Sequence, residues 1–330
     1  MLKIGITIGD PAGVGPELIL KISRHFDPQK AYVIYGERKI MDAIQKELGI
    51  DLDLVDIYTI EEVKTPGIYI ADLNISEADR LMPSLTSGKV AVAYLGRAVV
   101  DAVYGNIHGL LTMPINKFWA KLAGFSYEGQ TEFLAQACNV KEYAMLMYSE
   151  RIRVVPLTTH IPLKEVPERI KSQEIIKKVK LISREFKRLF DVEPTIGILG
   201  LNPHAGDMGT IGEEDVKEIA PAVEALKAEG YKVEGPLSPD SAFLREDLDL
   251  YLCMYHDQGL IPFKLLAFKE GVNLTLGLPF IRTSPDHGVA YDIAWKGIAD
   301  ESPSLSALRL CEKLVEKYLI NPLVEEYIVE

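Results

Sequence analysis

Two rhythms of apolar residues alternate along the N-terminal part of the chain. Nearly unbroken apolar runs, LKIGITIG, AYVIYG and HGLLTMPI, read as buried strands. Between them PELILKISRHF, ERKIMDAIQKELG and SGKVAVAYLGRAVVDAVYG repeat apolar residues at the helical period. This order predicts βαβ units of a largely parallel sheet. NKFWAKLAG and TEFLAQACNV add short helices, and the neighbouring runs YAMLMYSE and IRVVPLTTH predict a hairpin, which makes the sheet mixed. Beyond it, SQEIIKKVKLISREFKRLF is the strongest amphipathic helix, followed by strand TIGILGLN, helix EEDVKEIAPAVEALKAEG and strand LDLYLCMY. The stretch Tyr255 to Gly297 reads as non-repetitive and dense in polar groups, and SPSLSALRLCEKLVEKYL closes the chain as a helix opened by Ser-Pro.

The 330 residues, 48% of them hydrophobic, suffice for about two domains, and no flexible linker separates them. The expectation is two α/β lobes around a cleft. Residues 1–125 with 261–330 would form a discontinuous first lobe, the C-terminal helix returning to the N-terminal sheet, and 126–260 the second. No apolar run reaches membrane-spanning length and no signal segment opens the chain, which points to a cytoplasmic protein. Cys138, Cys253 and Cys311, odd in number and scattered through apolar or helical settings, predict reduced thiols. A net charge of −12 without a basic cluster argues against nucleic acid. In so acidic a chain, Lys264 and Arg282 near a candidate site suit an anionic small molecule.

Three histidines come directly after strand-like runs: His160 in PLTTHIPL, His204 in GLNPHAGDMG and His256 in MYHDQG. They could meet at one sheet edge and bind a divalent metal, or remain separate hydrogen-bonded loop residues. Asp207 and Asp257, close to His204 and His256 in sequence, could orient imidazoles or cap their own loops. Lys264, Asn273 and Arg282 offer a point charge, an amide and a planar fork, a possible phosphate or carboxylate cradle; taken singly, each is more simply a solvated residue. GDPAGVGPE between the first strand and helix is either a tight turn or an anion cradle at a helix N-terminus. In GQTE, Thr131 could cap a helix and Gln130 could reach a ligand.

Taken together, GDPAGVGPE, GQTEFLA, TTHIPLKEVP, NPHAGDMGTIGEED, YHDQGLIPFK and RTSPDHGVAYDIAWKG resemble the 4-hydroxythreonine-4-phosphate dehydrogenase family of pyridoxal phosphate biosynthesis, over essentially the whole chain. HGVAYDIAWKGIAD is also similar to the adenosine-binding loop of isopropylmalate and isocitrate dehydrogenases. The resemblance implies an isopropylmalate-dehydrogenase-like fold and a homodimer with its active site near the subunit interface. It implies His160, His204 and His256 as ligands of a divalent metal, zinc first, with magnesium, manganese or cobalt as alternatives. It places Thr131, Lys264, Asn273 and Arg282 on the substrate, and His287, Gly288, Asp292 and Gly297 on the NAD or NADP side. Gln130 stands where the family usually has His, which opens the alternative of a phospho-threonate or phospho-erythronate substrate. The implied chemistry is metal-assisted oxidation of the 3-hydroxyl, then loss of CO2 from the β-keto acid, with Asp257 or Asp207 as candidate proton acceptors through water. A metal hydrolase or aldolase would work without nicotinamide cofactor, and a non-catalytic nucleotide-binding regulator would need no metal.

Overall fold

Two chain segments, Met1–Lys141 and Leu278 onward, make one unit, and Glu142–Gly277 make the other. The computed structural model describes residues 1–320. In the first unit, β1 (Lys3–Thr7), β2 (Ala31–Gly36), β3 (Val55–Ile57), β4 (Gly67–Asp72) and β5 (Gly109–Thr112) are interleaved with α1 (Gly15–Ser23), α2 (Arg38–Leu48) and α3 (Leu85–Val103). These strands pair in parallel in the order β3-β4-β2-β1-β5. Ile4, Ile6, Val33, Ile34, Leu110 and Leu111 are fully buried, because helices cover both faces of a parallel sheet and its central strands must be apolar throughout. Two short helices come next, α4 (Lys117–Leu122) and α5 (Gln130–Ala137).

The second unit holds β6 (Ala144–Tyr148), β7 (Arg153–Pro156), α6 (Val166–Arg169), α7 (Ser172–Phe190), β8 (Ile196–Leu199), α8 (Ala220–Ala228), β9 (Val233–Leu237), α9 (Pro239–Ala242), β10 (Leu250–Cys253), α10 (His256–Ala267) and β11 (Val272–Leu276). Their order is β11-β6-β7-β10-β8-β9. The β11–β6 and β6–β7 pairings are antiparallel and the others parallel, so the mixed sheet expected from the hairpin is present. At the hairpin turn the Ser149 hydroxyl accepts the N–H groups of Arg151 and Ile152. The chain then returns to the first unit as β12 (Ile281–Pro285), parallel to β5, and α11 (Ser302–Ile320). A Cβ on Gly109 would come within 2.6 Å of Cys311 Sγ, so glycine lets α11 lie directly on β5. All three cysteines are free thiols, as expected.

The unit boundaries fall after Lys141 and Gly277, later than the expected 125 and 260. On the first side the rings of Phe125, Tyr127 and Phe133 cluster at 5.0–5.4 Å and tie α5 to what precedes it. On the second, Gly259 of α10 sits on Cys253 and Val154, and β11 pairs with β6. Strands β3, β4 and β9 were not legible as periodic runs; β3 leaves Val55 and Asp56 exposed, and β9 is interrupted by Gly235-Pro236. The stretch from Tyr255, read as non-repetitive, in fact holds α10, β11 and β12. Pro262 inside α10, together with apolar residues on its exposed as well as its buried side, conceals the helical period.

Candidate active site

The first surprise is GDPAGVGPE. Residues 9–17 are all buried, and four N–H groups at the turn are bonded within the chain. Asp10 N–H donates to the Pro114 carbonyl, Ala12 N–H to the Asp10 carboxylate, Gly13 N–H to the Asp10 carbonyl and Val14 N–H to the Val289 carbonyl. These four donors serve the fold itself, which favours the tight-turn reading over the cradle. The turn is instead a socket for the loop after β12. Trp295 Nε1–H donates to the Pro11 carbonyl at 3.0 Å, and the Tyr291 hydroxyl to Asp10 at 2.6 Å. Buried Glu17 accepts the N–H groups of Gly297 and Ala299 at 3.2 and 2.9 Å and pairs with Lys21 at 3.0 Å. Burial pushes the Asp10 carboxyl up, against hydrogen bonds from Tyr291, Ala12 and Ser87 that pull it down. Asp10, Glu17 and Tyr291 were missed in the sequence, where their only signal is membership of two motifs far apart in the chain.

The candidate cofactor residues occupy this socketed loop. His287 Nδ1 lies 2.9 Å from the Gly288 carbonyl, so it carries the proton and Nε2 is left as an acceptor. That Nε2 is buried without a partner. Gly288 is exposed, and a Cβ there would meet open space. Asp292 is exposed, its carbonyl accepting from Lys296 Nζ at 2.7 Å. Gly297 has φ +73, so its backbone conformation and its bonds to Glu17 and Lys21 explain the glycine structurally.

Arg282, on β12, is only 3% exposed. Its Nε and one terminal nitrogen donate to Thr112 Oγ1 at 3.1 and 2.8 Å, and the other terminal nitrogen to Thr131 Oγ1 at 3.3 Å. Burial pulls the guanidinium down to about 10, with the negative charge of Glu132 acting the other way. Thr112, at the end of β5, was missed although its place in LLTMP at a strand terminus is the usual location for a site residue. Gln130, the first residue of α5, donates from Nε2 to the Met113 carbonyl at 3.1 Å, and its Oε1 is buried without a partner. Gln130, Thr131 and Arg282 are thus gathered around the carboxyl end of β5.

In the second unit, the rings of His160 and His256 stand 5.9 Å apart. Rings that close can share one ion, since zinc binds imidazole nitrogen at about 2.0–2.1 Å. His256 Nδ1 is 2.7 Å from Asp257 Oδ1, which leaves Nε2 as the nitrogen not engaged by that carboxylate. His204 lies on a separate turn in which His204, Ala205, Gly206, Asp207 and Met208 all have positive φ, between 41 and 78. Left-handed backbone costs roughly 1–2 kcal/mol for each non-glycine residue. Buried Asp215 holds the turn in place, accepting the N–H groups of Leu201 and Asn202 at 2.8 and 3.1 Å. The Asp207 carboxylate accepts from Thr210 on its own turn at 3.2 Å, so its contact is with the loop and not with an imidazole. Among the described residues of one chain, no three His, Cys, Asp or Glu side chains converge as a metal-holding group. The donor set, two imidazoles with one held by a carboxylate, nevertheless fits a borderline divalent ion. Lys264 is exposed on α10, and Asn273 lies on β11 with its Oδ1 buried and unpartnered.

The family described as pyridoxal phosphate biosynthetic protein PdxA matches residues 28–311. The chain belongs to the PdxA family. The 4-hydroxythreonine-4-phosphate dehydrogenase of Aquifex aeolicus is 64% identical, covering 96% of this chain and 99% of its own. The D-threonate 4-phosphate dehydrogenase of Pectobacterium atrosepticum is 37% identical, over 94% and 98%. The crystal structure of the Klebsiella pneumoniae 4-hydroxythreonine-4-phosphate dehydrogenase superposes with a TM-score of 0.84 at 35% identity, over 96% of this chain and 100% of that one. The fold is therefore isocitrate/isopropylmalate dehydrogenase-like, and the chain is an oxidoreductase acting on a hydroxyl. Among its described residues no helix is long and apolar enough to cross a membrane.

The loop after β12 carries the residues expected to meet the cofactor, so the socket should govern cofactor binding. Replacing Glu17 by Gln puts an amide where two backbone N–H groups need acceptors. We expect the KM for NAD to rise on the order of 10-fold while the substrate KM changes little. Steady-state kinetics with each reactant varied in turn checks this; equal changes in both KM values would mean a merely structural role.

Proposed function

We propose that the chain oxidises the 3-hydroxyl of 4-hydroxythreonine 4-phosphate with NAD or NADP, in the synthesis of pyridoxal 5'-phosphate. One observation supports the reading most directly. Among the described residues, the buried side-chain polar atoms without a partner are Gln130 Oε1, Asn273 Oδ1 and His287 Nε2. Native interiors rarely leave such atoms unpaired, and a bound ligand, ion or water would satisfy them. Lys264, Asn273 and Arg282 would meet the anionic groups, and Thr131, aligned by its bond from Arg282, a neighbouring oxygen. Fixing those remote groups positions the reacting carbon. His287, Gly288, Asp292 and Gly297 would line the dinucleotide.

His160, His204 and His256 would hold a divalent metal, zinc being the best match to three neutral imidazoles. When bound, such an ion acts as a Lewis acid that lowers the pKa of the substrate hydroxyl. Asp257 orients His256 and, being 70% exposed, can take the hydroxyl proton through water; Asp207 braces the turn that carries His204. Oxidation leaves a β-keto acid, whose carboxylate is lost readily to give an aminoketone phosphate.

The second reading, favoured by the likeness to the Pectobacterium atrosepticum enzyme, is oxidation of D-threonate 4-phosphate. Reduction of NAD by the purified, metal-loaded protein with each phosphorylated acid separates the two, and no reduction with either would refute both. We propose further that the protein is a homodimer. Ile261 and Leu265 of α10, with Phe268 directly after it, form an exposed apolar face, which a second copy would cover. Light scattering should then report about twice the 36.7 kDa chain mass; a monomer at micromolar concentration would exclude it.

A further inference from the structure

We infer that Gln130 selects the amino group of the substrate, and so decides between the amino acid and its hydroxy analogue; the inference rests on the oxidation proposed above. The amide of Gln130 has a fixed orientation. Its Nε2 donates to the Met113 carbonyl at 3.1 Å, and turning the amide over would set oxygen against oxygen. Oε1 must therefore face the other way, where it is buried and unpartnered. An unsatisfied buried acceptor costs roughly 1–3 kcal/mol, recovered only when a donor arrives.

The surroundings narrow the donor. The next residue, Thr131, accepts from the buried Arg282 guanidinium, so the polar groups there already supply donors and positive charge for anionic parts of a ligand. What Gln130 adds is the opposite: a single acceptor that cannot become a cation. An ammonium group offers three donors and a full charge, and a charge-assisted hydrogen bond is roughly twice as strong as a neutral one. A hydroxyl at the same carbon offers one neutral donor. 4-Hydroxythreonine 4-phosphate carries the amine and D-threonate 4-phosphate the hydroxyl, so the fixed acceptor favours the former.

The test is the ratio of kcat/KM for the amino acid to that for the hydroxy acid, measured as NADH formation by the metal-loaded full-length protein. The wild type should prefer the amino acid by about tenfold or more. Gln130→Met should bring the two within about threefold, chiefly by loss on the amino acid. Gln130→Leu, which also removes the acceptor, should do the same. Thermal unfolding establishes which variants fold; should Gln130→Met fail to, the Leu variant decides, and a ratio it leaves unmoved overturns the inference. Activity with a ratio unmoved by Gln130→Met overturns it alone. A wild type that oxidises neither acid overturns the oxidation reading and this inference together.

Discussion

Replacing Arg282 by Met is expected to lower kcat/KM for the phosphorylated substrate on the order of 100-fold or more, while costing the unliganded fold no more than about 1 kcal/mol. The asymmetry comes from burial. Arg282 is 3% exposed, and removal from water already pulls its guanidinium down to about 10, so in the free protein the charge is held at a cost. A methionine of similar length removes that cost and fills the space. What it leaves behind are the hydroxyls of Thr112, which loses two donors, and of Thr131, which loses one. A bound anion reverses the balance, because charge-assisted, two-pronged bonding is strongest where water is excluded. Urea unfolding measures the first half and kinetics the second. Inorganic phosphate should also raise the Tm of the wild type and leave the variant unmoved. A variant much less stable than the wild type but unaltered in KM and kcat would show Arg282 to be a structural residue.

Metal affinity should fall on the order of 100-fold or more in His256→Ala, and roughly 10–100-fold in Asp257→Asn. The first variant removes one imidazole of the 5.9 Å pair proposed to hold the ion. The second keeps the imidazole but weakens the acceptor that sits 2.7 Å from Nδ1, so the ring becomes a poorer donor and a less constrained one. Zinc competition against a chromophoric chelator reads both on the apoprotein, independently of turnover. Because His256 opens α10 at a partly exposed position, unfolding midpoints should move little. Affinity unchanged by His256→Ala would remove the histidines from the metal altogether. A graded series, with Asp257→Asn between the wild type and His256→Ala, is the signature of a carboxylate acting through an imidazole.

Local pattern was enough for much of the architecture. The alternation of LKIGITIG, AYVIYG and HGLLTMPI with amphipathic helices determined the parallel sheet, because strands covered on both faces have to be apolar throughout. The neighbouring strands at Tyr148 and Arg153 determined the antiparallel turn in the chain. His160 and His256, read as residues at strand ends, do stand side by side, since the parallel strands β7 and β10 are adjacent and carry the residues at their carboxyl ends to one edge of the sheet. Lys264, Asn273 and Arg282 were singled out by residue type alone, and sequence could not say that Arg282 is buried and Lys264 exposed.

The sequence by itself thus determined the fold class and named most of the candidate chemistry, because hydrophobic period and residue type are local properties. Only the tertiary structure decided what each polar group has left to offer. GDPAGVGPE has the composition of an anion cradle, yet the N–H groups of Asp10, Ala12, Gly13 and Val14 are spent on Pro114, Val289 and its own Asp10. Gln130 has two functional ends, and Met113 takes one of them. His287 could ligate or donate until the Gly288 carbonyl sets its tautomer. Hydrogen-bond capacity is finite, and partners distant in sequence consume it; what remains unspent in the fold marks where a ligand can bind.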